Sequence, residues 1–338
     1  MAKKIVICCD GTWNTPDQKA PTNVVRIFDA VRPTGPDGVE QRKFYHQGVG
    51  THGWDRFLGG VFGFGLSRNV RDAYRDLVQN FKPGDDIYLL GFSRGAYTAR
   101  STAGFVRNCG ILRPQYVDKI DEAYTLYRDR RDHTRPEEAE ATSFRKAYSH
   151  EARIRFIGVW DTVGALGIPL SGLRLINLIN RRWQFHDTEL SRFIDAAFQA
   201  LAIDERRRPF RPAIWTKHPR AEDQQVEQVW FTGVHSDVGG GYPERHLADI
   251  AMKWMVDRAR SCGLAIDAEA VAPDPFGQLH DSLTFFYRLL SPYTRHLDNG
   301  DPLQVLASTA YQRHEQSPDY SPENLVRYLR QNGPVTKV

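Results

Sequence analysis

Cysteine is scarce in this chain, with four residues in 338, and none of the four stands in a C-x-x-C pair. That spacing argues against a thiolate metal centre. Cys8 and Cys9 sit side by side in an apolar run, so in a strand they would point to opposite faces. They read, with Cys109 and Cys262, as small core hydrophobes in a reducing compartment. Long apolar runs are missing too. None approaches about 18 residues, so no membrane-spanning helix is expected. Met1-Ala2-Lys3-Lys4 leads straight into a strand-like segment without the apolar stretch of a secretory signal. A cytoplasmic setting is therefore expected, with export open only to a signal-independent route. A charge excess is also lacking: 45 basic against 41 acidic residues leave a net +4. With no long basic tract, nucleic acid is not an expected partner. The densest basic spot, Arg206-Arg207-Arg208, follows Asp204-Glu205 directly and reads as a solvated helix end. Internal repeats and low-complexity tracts are absent.

What is present is an ordinary globular composition, 41% hydrophobic and 25% charged. A chain of this length buries roughly three quarters of its unfolded surface and needs no staples. Strands are expected at Lys4–Cys9, Lys43–His46, Ile87–Leu90, Ile154–Trp160 and Val226–Val234, where β-branched and aromatic runs end in turn signals. Helices are expected between them, at Asn23–Val31 with Thr22 as N-cap and at Ser67–Phe81 with Val70, Tyr74, Leu77 and Val78 on one face. Alternation of this kind implies right-handed crossovers and a mostly parallel sheet with helices on both faces. The expectation is a single α/β domain over 1–338. Helical insertions are expected near 114–150 and 164–225, the second reading more as a surface helix than as a lid, with a loop-rich wrap over 265–338.

The most informative stretch is Gly91-Phe92-Ser93-Arg94-Gly95. It follows the apolar run Ile87–Leu90 and leads into a helix-like run from Ala96 to Val106. A strand turning sharply into a helix leaves no room for Cβ atoms at the flanks of the turn, hence the two glycines. The turn lifts the serine hydroxyl above the sheet at a helix N-terminus, the position of a nucleophile. The plainer alternative is a serine that only caps the helix.

Catalytic groups of open α/β sheets gather beyond the carboxyl ends of the strands. Four of the expected strands end there in a capable residue: Asp10, Ser93, Asp161 and His235. The last three run Ser…Asp…His, the chain order of α/β-hydrolase triads. Serine needs a base, imidazole titrates near neutrality, and a carboxylate fixes the imidazole tautomer. Among eleven histidines, His235 is singled out because it follows a strand and opens into Gly239-Gly240-Gly241, glycines that would let backbone approach a bound group. His246, His280 and His296 lack that setting. Asp161 is preferred to Asp237 as the acid, and Asp237 reads as ordering the glycine loop or capping the next helix. An acyl-transfer site also needs oxyanion donors. The Arg94 amide is one candidate, and the loop Asp10-Gly11-Thr12 offers Gly11 or Thr12 as the other, with Asp10 bracing that loop through hydrogen bonds to backbone.

With these motifs in view, the chain resembles the α/β-hydrolase domain family that includes the phospholipase effectors of type VI secretion. The matching stretches are Cys8-Cys9-Asp10-Gly11-Thr12-Trp13-Asn14, Thr22-Asn23-Val24-Val25, Gly48-Val49-Gly50-Thr51, Gly91 to Arg100, Val159 to Gly164 and Gly233 to Tyr242, spanning roughly residues 3–260. The resemblance implies a serine-hydrolase triad of Ser93, Asp161 and His235 and cleavage of an ester bond, with phospholipid acyl chains among the candidates. The effectors carry additional membrane-associating regions, so fold and triad transfer more directly than the lipid does.

The expected function is thus a serine ester hydrolase working through an acyl-enzyme, without metal or cofactor, on a small ester or lipid. One stretch adds a hint of membrane-surface contact. Trp54 to Leu66 reads as a glycine-rich, flexible loop carrying Phe57, Leu58, Val61, Phe62 and Phe64, which would line an acyl pocket, touch a bilayer or simply pack on the core. Two other readings compete. One is a Mg²⁺-dependent phosphatase-type hydrolase using Asp10, which Thr12 disfavours because an acid is needed there. The other is a binding module that has lost catalysis.

Overall fold

The computed structural model describes residues 2–11, 18–48, 59–129, 131–164, 189–267, 271–283, 287–288 and 292–338. Its centre is a sheet of eight strands, every neighbouring pair parallel. The strands are β1 (Lys4–Cys9), β2 (Gln41–His46), β3 (Asp86–Phe92), β4 (Ile154–Trp160), β5 (Ile194–Ala202), β6 (Gln225–Phe231), β7 (Gln304–Ala307) and β8 (Val335–Thr336). They lie in the order β8-β7-β6-β5-β4-β3-β1-β2. The helices are α1 (Asn23–Ala30), α2 (Gly59–Asn80), α3 (Arg94–Cys109), α4 (Ile120–Arg128), α5 (Ala139–Tyr148), α6 (His235–Gly239), α7 (His246–Ser261), α8 (Ser308–Gln316) and α9 (Glu323–Arg330). This is the expected α/β-hydrolase-like architecture. No described helix is long and apolar enough to cross a membrane.

Two apolar layers sandwich the sheet. Ile5, Ile7 and Cys9 of β1 face one layer with Val70, Tyr74 and Leu77 of α2 and Phe105 of α3. Val6 and Cys8 face the other, with Val24 and Ile27 of α1 and Trp254 and Met255 of α7. The two adjacent cysteines therefore lie on opposite faces, as strand alternation demands, and all four cysteines are buried free thiols. Thr22 caps α1 as expected, its side chain accepting from the Val25 amide.

Three expectations need correction. The segment 164–225, expected as a helical insertion, contains the core strand β5, paired to β4 on one side and β6 on the other. Its sequence, Ile-Asp-Ala-Ala-Phe-Gln-Ala-Leu-Ala, is alanine-rich and favours helix locally. Burial on both faces erases the alternation that would have marked it as a strand. The wrap over 265–338 is less loop-rich than expected: it adds two short strands to the sheet and packs α8 and α9 against it. A four-residue and a two-residue strand are too brief to register in sequence, and tertiary contacts hold them. Trp230 of β6 donates to the Gln304 side chain at 3.1 Å, and Tyr328 of α9 donates to the Pro334 carbonyl at 2.8 Å. Thirdly, α2 begins at Gly59, so the later part of the glycine-rich stretch Trp54–Leu66 is helical rather than loop; residues 54–58 lie outside the described residues. Helix propagation is cooperative, and a strongly amphipathic run downstream carries a few glycines with it.

Candidate active site

The five-residue turn forms between β3 and α3. Ser93 takes φ 58° and ψ −119°, a backbone conformation in which a side chain is strained. A Cβ on Gly91 would lie 2.6 Å from the Gly95 carbonyl oxygen, and one on Gly95 would lie 2.1 Å from the Cys9 carbonyl oxygen. Only glycine fits at either flank. The Ser93 side chain makes no capping hydrogen bond to α3, so the helix-cap alternative fails. Its amide is tied to the Trp160 carbonyl at the end of β4, at 3.0 Å.

Asp161 follows β4, the sheet neighbour of β3, and also has a positive φ of 40°. His235 opens α6, just after β6. The two side chains meet: His235 Nδ1 and Asp161 Oδ2 are 2.5 Å apart. Asp161 is fully buried and His235 nearly so. Two rings enclose the imidazole, Phe92 tilted at 4.6 Å and Phe210 edge-on at 4.9 Å between centroids. Burial lowers the His235 pKa below the usual imidazole value and outweighs the opposing pull of Asp161. Burial would raise Asp161, but the Arg295 guanidinium and His235 reverse that and hold it well below the carboxylate range. At neutral pH the pair is a neutral imidazole beside an ionised carboxylate.

Asp10, at the end of β1, has its carboxylate filled. Oδ1 accepts from the Gly11 amide at 2.6 Å, and Oδ2 accepts from the Thr22 and Tyr45 hydroxyls at 2.7 and 2.8 Å. It ties the loop after β1 to the first turn of α1 and to β2, a wider brace than bonds to backbone alone. The Gly11 amide, a candidate oxyanion donor, is thus occupied by Asp10; Thr12 lies outside the described residues. Arg94 is the first residue of α3, where helix amides lack an intrahelical acceptor. Burial lowers its guanidinium to about 10.

Asp237 does not contact the His235 ring through any described hydrogen bond. It accepts from the Val234 amide at 3.0 Å and from the His280 amide at 3.2 Å, and pairs with His280 Nδ1 at 2.6 Å. It therefore orders its own turn and anchors the 271–283 segment. Gly239 and Gly240 are required by close packing, and Gly241 by its positive φ of 115°. A Cβ on Gly239 would strike the Phe92 ring, one on Gly240 would strike the Asn23 amide, and Gly241 meets only Ser236. Among the described residues no cluster of three or more His, Cys, Asp or Glu side chains could hold a metal ion. A cleft of about 640 Å³ lies along α3, lined by Arg100, Arg107, Tyr127 and Trp215, but none of Ser93, Asp161 or His235 borders it.

Residues 3–258 match the family described as "T6SS, Phospholipase effector Tle1-like, catalytic domain". The chain belongs to this family. An uncharacterised protein of Saccharomyces cerevisiae is 29% identical over 239 residues, which are 64% of this chain and 33% of that protein. The chain thus spans about a third of the length of that relative. Among solved structures, it is similar to an uncharacterised Pseudomonas aeruginosa protein (19% identity, 78% of this chain and 46% of the other, TM-score 0.48). It is also similar to the Tle1 effector bound to the VgrG spike of the type 6 secretion system (20%, 72% and 52%, TM-score 0.43). A third likeness is a Thermogutta terrifontis esterase (13%, 80% and 84%, TM-score 0.40).

Three residues around the site in this hydrolase-family chain escaped the sequence reading. Glu205 stands after β5, buried; it accepts from the His235 amide at 3.2 Å and pairs with Arg207 through both oxygens. His280 was set aside for its loop setting, yet it pairs with Asp237 and stacks on Tyr242 at 3.9 Å. Arg295 lies beyond the matched segment and grips Asp161 through both carboxylate oxygens. Only Glu205 left a signal, as an acid at a strand end, and that strand was itself unrecognised.

Proposed function

We propose that this chain is a serine ester hydrolase that works through an acyl-enzyme on phospholipid or other acyl esters. One observation carries the reading: a strained serine at a strand–helix turn shares its sheet edge with a buried histidine already paired to a carboxylate. Ser93 and Asp161 end neighbouring strands, and His235 reaches Asp161 from two strands further along. Membership of a family described by a phospholipase effector supports acyl esters of phospholipids as the substrate class.

In this mechanism neutral His235 takes the Ser93 proton as Oγ attacks the ester carbonyl. No hydrogen bond joins the Ser93 hydroxyl to His235 among the described contacts, and such bonds commonly tighten only once substrate is bound. Asp161 holds the imidazole through Nδ1, which directs Nε2 to the serine and stabilises the imidazolium. The Arg94 amide donates to the developing oxyanion, joined by a donor from the Gly11–Thr12 loop, where the Gly11 amide must be shared with Asp10. His235 then protonates the leaving alkoxide, and water, activated by the same base, hydrolyses the acyl-enzyme.

The test is a panel of p-nitrophenyl acyl esters and phospholipid vesicles, together with labelling by a fluorophosphonate. Wild type should label at Ser93 and release fatty acid. Ser93→Ala should abolish labelling, and Ser93→Ala and His235→Ala should each lower kcat by about 10⁴-fold or more. Full activity in either variant refutes the assignment.

A further inference from the structure

We propose that Arg295 is a positioning residue for this reaction: its guanidinium grips both Asp161 oxygens, one of them the oxygen that pairs with His235, and partly neutralises the carboxylate, setting the pH range in which His235 can act as base. The inference rests on the serine-hydrolase reading above and extends it to the part of the chain beyond residues 3–258.

The geometry is that of a fork. Arg295 Nη1 donates to Asp161 Oδ1 at 2.6 Å and Nη2 to Oδ2 at 2.9 Å. Each nitrogen donates once more, Nη1 to the Ala202 carbonyl at 2.8 Å and Nη2 to the Phe210 carbonyl at 2.6 Å. Four of the five guanidinium hydrogens are used, so the plane of the group is fixed by three chain segments at once. Only 1% of Arg295 is exposed. A lysine could supply the charge but not two parallel bonds to one carboxylate. The Asp161 carboxylate also accepts from the Ala202 amide at 3.1 Å. With Oδ1 saturated by Arg295 and Ala202, Oδ2 is the oxygen turned to His235.

The electrostatic consequence follows from what surrounds the imidazole. After β4 stands Asp161. After β5 stand Glu205, accepting from the His235 amide, and Arg207, paired to Glu205. On its own helix Asp237 turns to Val234 and His280. From β3 and the turn at Phe210 come uncharged rings. Glu205 and Arg207 offset one another, and Asp237 is engaged with His280. The charge that decides how strongly an imidazolium is held is therefore that of Asp161, and Arg295 offsets part of it. An unopposed buried aspartate would hold the imidazolium strongly and keep His235 protonated, and idle as a base, to higher pH. Arg295 thereby shifts the working range of the base towards acid, in the same direction as burial does.

The experiment uses the full chain and compares Arg295→Met, Arg295→Lys and Arg295→Ala with wild type. It reads the pH dependence of kcat/KM on a soluble p-nitrophenyl ester and of fluorophosphonate labelling at Ser93. Arg295→Met should move the acid limb of both profiles up by about one pH unit and lower kcat by about tenfold or more, with KM within about threefold. Arg295→Lys keeps the charge and loses the fork, so kcat should fall while the limb stays near wild type. Added ethylguanidinium should restore part of the rate to Arg295→Ala. A residue that only plugs the Ala202 and Phe210 carbonyls would lower stability and leave the limb in place, so an unmoved limb in folded Arg295→Met overturns the proposal. If Arg295→Met does not fold, Arg295→Lys decides, and a kcat equal to wild type there overturns it. Failure of the parent reading looks different: wild type would not label at Ser93, whatever the Arg295 variants do.

Discussion

Gly95→Ala is the sharpest test of how the site is built. A Cβ at residue 95 would lie 2.1 Å from the Cys9 carbonyl oxygen and 2.5 Å from that of Asp10. Both obstacles are backbone, in strand β1 and the first residue after it, so neither can rotate away. Relief requires the N-terminus of α3 to move off β1 by about an ångström, and that end carries Ser93 and the Arg94 amide. Overpacking of this kind costs about 1–3 kcal/mol. For a chain of this size 3 kcal/mol corresponds to a melting-temperature loss of about 4 °C. The catalytic effect should be larger in proportion, since a displacement of about 1 Å between reacting groups costs about 10²-fold in rate. Gly104→Ala is the control: the same exchange in the same helix meets only Tyr127 side-chain atoms, the nearest at 3.2 Å. Fluorophosphonate labelling rate and calorimetric melting of both variants give the answer. If Gly95→Ala labels at the Gly104→Ala rate and melts with wild type, the Gly91–Gly95 turn is not held by these contacts.

Other substitutions probe the surrounding shell. Asp161→Asn should cut kcat by about 10⁴-fold by presenting the wrong tautomer of His235, and destabilise the fold by about 3–5 kcal/mol by leaving buried Arg295 without its counter-charge; ester turnover and urea unfolding measure the two effects. The Cys8, Cys9 and Cys109 thiols are buried and their pKa values raised by burial, so a thiol-reactive disulfide should modify them only as fast as the chain unfolds. Rapid labelling of all three in native buffer would contradict the packing. Burial raises Asp204 to about 6, above its unfolded value of about 4. Its contribution to stability is therefore full below about pH 4 and is lost as pH rises through about 6. Melting temperatures of wild type and Asp204→Asn should diverge across that window, with the variant falling less.

The legible parts of this molecule are those written in local chemistry. The glycines at 91 and 95, the strand before them and the helix after them are short-range necessities, so the turn could be read residue by residue. Thr22 as a cap and the Cys8–Cys9 alternation belong to the same class. β5 was illegible because burial on both faces removes the alternation by which strands are recognised, and its alanines speak for helix. In the glycine run after His235, Gly239 makes room for Phe92 and Gly240 for the start of α1. A glycine reports that something comes close, and sequence does not say what.

Arg295 marks the limit of such reading most clearly, because nothing in Tyr293-Thr294-Arg295-His296 distinguishes it from the other arginines. A buried arginine needs acceptors, and here the acceptors are supplied by three separate segments: Asp161 after β4, Ala202 at the end of β5 and the turn at Phe210. Each of those positions is set by the sheet, not by local sequence. Burial acts against the Asp161 charge before any other influence, and Arg295 is the largest of the influences that oppose it. The carboxylate that pairs with His235 thus has its cation delivered from 134 residues away. It follows that the 3–258 segment alone, although it contains Ser93, Asp161 and His235, would present a buried carboxylate without the cation that grips both of its oxygens.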